Sequence, residues 1–98
     1  MWIQEKNKRS TVVIELNYED FAHIIVEKKS KGLINQFTIN FEIDDILNDT
    51  FNSYDLKEVT KVLEIIKKEI EDLYDQIPLF DEQKIQNWID EFYDKIND

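Results

Sequence analysis

Cysteine is absent from the chain, and glycine, proline, methionine and histidine occur once each. Without cysteine there is neither a disulfide framework nor a thiolate metal site. A single glycine excludes a phosphate-cradling P-loop and a dinucleotide fingerprint, which need several. The one histidine, His23, cannot form a histidine-rich metal site and has no cysteine to activate. It reads as a structural or surface residue of a strand. Basic residues are also scarce: 12 Lys and Arg face 22 Asp and Glu, for a net charge of −10. Such a molecule is repelled by phosphate backbones and anionic membrane surfaces, so direct nucleic-acid or membrane binding is not expected. No stretch approaches the ~18 uninterrupted apolar residues of a membrane span, and no signal-peptide core opens the chain. The expected location is the bacterial cytoplasm.

The 98 residues are 42% hydrophobic, with aromatics at 12%. That is enough for one domain with one core. Isoleucine, lysine and asparagine are abundant, whereas alanine and arginine appear once each. The favoured residues have AT-rich codons, which points to a low-GC bacterium, its phage or its plasmid. Residues 1–50 hold nine acids and six bases (net −3), and residues 51–98 hold thirteen and six (net −7).

Periodicity divides the chain in type. In "LINQFTINFEI", Phe37, Ile39, Phe41 and Ile43 alternate with polar residues, the mark of a strand with one wet face. "FAHIIVEKK" and "STVVIEL" read as two further strands, and "MWIQEK" as an optional fourth. "KKSKG" and "NYED" are the turns between them. "DDILND" is expected to be a short helical turn leaving the sheet. Asp55 then caps a helix, with Glu58 in the capping-box position. Leu56, Val59, Leu63, Ile66, Ile70, Leu73 and Ile77 form a heptad seam that Val62 and Tyr74 widen. Pro78 ends it. Asp81 caps a second helix bearing Ile85, Trp88, Ile89, Phe92, Tyr93 and Ile96 on one face. The expected fold is α+β: an antiparallel three- or four-stranded sheet over about residues 1–47, packed on a helical hairpin over about residues 53–98. Phe37, Ile39, Phe41, Leu63, Ile66, Ile70, Trp88 and Phe92 form its expected core.

Catalytic signals are missing. "DDILNDTFNSYD" lacks the glycine and the final glutamate of an EF-hand loop, which leaves Asp44, Asp45 and Asp49 as adventitious cation contacts at most. Paired carboxylates for glycoside hydrolysis need a cleft, and a short helix-rich chain leaves little room for one. No enzyme activity, cofactor or metal is expected. The basic clusters Lys6, Lys8, Arg9 and Lys28, Lys29, Lys31 read as solvated turns and strand ends that discourage edge pairing.

The C-terminal helix carries the oddest feature. Asp90, Asp94 and Asp98 recur at four-residue steps beside Glu91. Like charges on neighbouring turns cost about 0.2–0.5 kcal/mol per pair. Acids in the last turns also oppose the helix dipole. Glu91 and Lys95 are spaced to pair. With Glu71, Asp72 and Asp75 on the neighbouring helix, and Ile65 as an off-stripe apolar contact, these acids make a candidate surface for a basic partner. In being short, acidic, cysteine-free and without a catalytic motif, the chain is similar to anti-CRISPR and anti-restriction proteins as a class, though no family motif is shared. The expectation is a phage or mobile-element inhibitor docking on a nucleic-acid-processing or defence enzyme, with DNA mimicry as one form. The alternatives are an immunity or antitoxin protein against a nuclease toxin and a structural subunit that dimerises through the heptad helix.

Overall fold

The structure is a computed structural model of the chain, and it describes residues 1–6 and 11–97. The basic residues Lys8 and Arg9 and the tail residue Asp98 lie outside the described residues. The chain forms two compact units, Met1–Thr60 and a second from Lys61 onward. Strands come first and helices after, so the class is α+β.

The first unit holds an antiparallel meander of five strands in sequential order: β1 (Trp2–Glu5), β2 (Val12–Tyr18), β3 (Ala22–Lys31), β4 (Ile34–Ile43) and β5 (Leu47–Ser53). The optional strand at the N-terminus is therefore real. Trp2 secures it by lying opposite Tyr18, ring centroids 4.9 Å apart. The fifth strand corrects the expected count. "DDILND" is not a helical turn: Asp44–Ile46 is a turn between β4 and β5, closed by the Ile46 N–H donating to the Ile43 carbonyl at 2.8 Å, and Leu47 begins a strand.

Register places the apolar residues on one face. Leu16 lies opposite Ile24 and Ile24 opposite Phe41, while Val26 lies opposite Ile39. All five are buried. Phe37, further along β4, is only half-buried. The other face carries His23, Thr38, Asn40 and Glu42. Its amides and hydroxyls pair across strands: Thr38 Oγ1 donates to Asn52 Oδ1 at 2.8 Å, and Thr50 Oγ1 to Asn40 Oδ1 at 2.7 Å. Gly32, at φ +60, opens the two-residue loop between β3 and β4, where a left-handed residue matches the twist of the strands. The β2–β3 turn has no glycine, and Glu19 (φ 53) and Asp20 (φ 58) take the left-handed positions instead.

Helix α1 (Leu56–Gln76) starts at its expected cap: Asp55 Oδ1 accepts the Lys57 N–H at 2.9 Å. The reciprocal capping box through Glu58 is replaced, because the Asp55 N–H donates to Ser53 Oγ at 3.0 Å. Val59, Val62, Leu63, Ile66, Ile70 and Leu73 are buried. Leu56 and Tyr74 are exposed, so the stripe is shorter and narrower than its spacing implies. Pro78 sits in a 3₁₀ turn, Ile77–Leu79, that ends α1. Asp81 then caps α2 (Glu82–Ile96) by accepting the Lys84 N–H at 2.9 Å. Trp88, Phe92 and Ile96 are its buried residues.

Candidate functional site

The helical unit positions most of the candidate acids. On α2, Asp90, Glu91 and Asp94 are exposed. Asp90 is tied along its helix, accepting from Gln86 Nε2 at 3.1 Å. On α1, Asp75 is exposed, whereas Glu71 and Asp72 are half-buried. Asp72 lies 3.8 Å from Lys68 Nζ, one turn earlier. Ile65 is half-buried rather than free on the surface.

Lys95 organises these groups. Its Nζ donates to Glu69 Oε1 at 2.8 Å, across 26 residues of sequence. The i,i+4 pair with Glu91 is not the one that forms. Glu69 belongs by spacing among exposed charges, yet it is only 8% exposed. A nearly buried carboxylate needs a charged donor, since water can no longer solvate it. The hydrogen bond that Lys95 donates to Glu69 raises the Lys95 pKa above the ordinary lysine value, partial burial opposes the rise, and the fields of Glu69, Glu91 and Asp72 add to it. Glu91 and Asp72 are therefore brought to the same ammonium. At ~100° per residue, Asp90 and Asp94 lie further round α2, away from Lys95. Glu71 and Asp75 likewise turn from the Glu69 side of α1. Among the candidate acids, Glu91 and Asp72 join a partly neutralised cluster about Lys95, Asp90 and Asp94 form an open row, and Glu71 and Asp75 belong to neither.

No family model, curated protein or solved structure matches this chain. The chemistry of the site is read from its own residues.

In the sheet unit, His23 Nε2 lies 3.0 Å from Glu15 Oε2 on the adjacent strand. This partner was not evident from spacing, because it depends on the register of β2 against β3. Among the described residues no group of three His, Asp or Glu side chains is placed to hold a metal ion. Asp44 occupies a left-handed turn position (φ 40), and Asp49 accepts the Thr50 N–H at 2.7 Å on β5. Among the described residues no helix is long and apolar enough to cross a membrane. The open row on α2 can present charge to a partner.

Proposed function

We propose that the protein works by binding: a phage or mobile-element inhibitor in a bacterial cytoplasm that docks the acidic side of its helical unit on a basic surface of a nucleic-acid-processing or defence enzyme. The observation that carries this reading is the exposed row Asp90–Asp94 on α2, with Glu91 beside it. Carboxylates one turn apart are ~5–6 Å from each other at Cβ, close to the scale of successive phosphates, so the row can act as a mimic of a nucleic-acid strand. Charge complementarity of this kind raises association rates and selects partners. An immunity or antitoxin role uses the same surface, and a toxin gene next to this one would favour it. The dimerising-subunit reading has less support: Val59, Leu63, Ile66, Ile70 and Leu73 are already buried within one chain.

The test starts from a partner captured from a low-GC bacterial lysate. Association is then timed at two salt concentrations for the original protein and for Asp90→Lys with Asp94→Lys. The reading expects slower association for the variant, a weaker salt dependence and an unchanged or slightly higher melting temperature. A variant that associates as fast as the original makes the row an ordinary solvated face and overturns the proposal.

A further inference from the structure

The sheet unit carries a feature of opposite sign. Lys29 and Lys31 line an open groove of about 770 Å³ together with Ile34, Gln36 and Tyr54. Neither lysine has an ion-pair partner among the described residues. In a chain of net charge −10, two ammoniums without a local ion-pair partner set this surface apart in sign from the overall charge. They stand two residues apart on β3, facing Gln36 and Ile34 across the ladder. Residues i and i+2 of a strand share a face and are ~7 Å apart.

The groove also adjoins an unfilled sheet edge. β5 pairs with β4 only from Phe37 to Ile43. Among the described residues, Ile34, Asn35 and Gln36 have no strand partner on that side. Ile34 and Tyr54 are both exposed there and supply an apolar and an aromatic contact.

We propose that this groove binds an extended acidic peptide segment, which continues the line of β5 along the edge of Ile34–Gln36. Its carboxylates, on alternate residues, would meet Lys29 and Lys31, and the methylenes of those same side chains would rest on Ile34 and Tyr54, which share the lysines' face. An added strand gains affinity from backbone hydrogen bonds and specificity from alternate side chains. The spacing of the two lysines matches the side-chain repeat of such a strand. A nucleic-acid strand fits less well. Its phosphates offer no donors to a strand's backbone carbonyls, and a long polyanion meets the repulsion of the whole molecule. The acidic row of a second copy is helical and cannot add to a strand edge. The groove belongs to the sheet unit and the acidic row to α2, and the proposal does not depend on the role of that row.

The probe is a short, capped, fluorescein-labelled peptide of alternating Glu and Val, followed by anisotropy. The controls are the same design with Lys for Glu, the same peptide with alternate backbone nitrogens methylated, and labelled oligothymidylate. The protein variants are Lys29→Glu with Lys31→Glu, and Tyr54→Ala. These side chains are exposed, and thermal melts followed by circular dichroism check that the fold is kept. The Glu/Val peptide is expected to bind, to weaken as salt rises, and to lose about tenfold or more in affinity to the double variant. The methylated peptide and the Lys peptide should not bind. Four results overturn the proposal: no binding of the Glu/Val peptide, equal binding by the double variant, undiminished binding of the methylated peptide, or tighter binding of oligothymidylate. Self-association abolished by the double variant, without peptide binding, would assign the groove to a second copy and equally overturn it.

Discussion

Lys95 and Glu69 form an ion pair that joins the two helices of the helical unit. The lysine is half in solvent and its carboxylate partner is nearly enclosed, with side-chain exposures of 49% and 11%. Screening at the lysine moderates the pair, so Lys95→Met should cost about 1 kcal/mol, mainly by leaving Glu69 without its donor. The sign of the pH dependence follows from the raised pKa of Lys95. The folded protein holds that proton more tightly than the unfolded chain. The contribution is complete below the ordinary lysine pKa of ~10.4 and fades as pH climbs through the higher folded value. Urea melts of the two proteins should therefore differ by a constant amount from neutral pH to about pH 10, and converge above it. A gap that closes between neutral pH and about pH 9 would contradict this. A second residue-scale effect is backbone strain. Asp20 sits at φ 58, where a side chain crowds the following carbonyl. Asp20→Gly relieves that crowding at some entropic cost, and should stabilise the protein by about 0.5–1 kcal/mol, or ~4 °C in melting temperature. A lower melting temperature would mean that the Asp20 side chain contributes more to the turn than the strain costs.

Among the elements, α1 depends on its buried stripe. Ile70 is 0% exposed at the centre of it. Truncation to alanine should cost about 2–5 kcal/mol through lost transfer energy and the cavity left behind. A loss below ~0.5 kcal/mol would place that side chain at a surface instead. The sheet faces a different hazard, since its outer strands offer unpaired backbone groups to other chains. β1 limits the risk by being only four residues long. β5 is seven residues long and limits it differently. Asp49 falls in the register of Leu47 and Phe51, opposite the buried Phe41, so it places a charge on the inward side of an edge strand. Such a charge deters a second strand from pairing there. Asp49→Val should leave the fold intact and promote concentration-dependent association, seen as a rising weight-average mass in sedimentation. A variant that stays at the original mass would show that the edge is protected by something else.

Over the whole molecule, charge of one sign dominates, at −10 for 98 residues. Confining that charge in a folded globule costs free energy through self-repulsion, and salt reduces the cost. Melting temperature should rise between ionic strengths of ~0.01 M and ~0.15 M, over which the screening length falls from ~30 Å to ~8 Å. A fall would mean that favourable pairs such as Lys95–Glu69 outweigh the general repulsion. The distribution of charge has a functional side as well. The acidic row on α2 and the lysine-lined groove on the sheet unit lie in different compact units. If each binds as proposed, salt should weaken binding at both.

Local periodicity carried most of the architecture. The heptad spacing of α1 and the alternation of β4 were legible because each depends on near neighbours and on which side of the chain is apolar. The caps at Asp55 and Asp81 were legible for the same reason, since a cap needs only its own side chain and the next turn. β5 was not. "LNDTFNS" is rich in Asn and Asp, which strands disfavour, and its inward Asp49 breaks the apolar alternation that identifies a strand. It is a strand because β4 offers it a ladder. The candidate acids could be named from composition, but their division into an open row and a cluster could not. Spacing alone favours Glu91 for Lys95, whereas the tertiary fold buries Glu69 within reach and makes it the partner that most needs the charge. The His23–Glu15 pair and the Lys29–Tyr54 groove likewise join residues whose meeting depends on strand register and on where β5 ends. Contacts of this kind form between segments remote along the chain, and no local pattern encodes them.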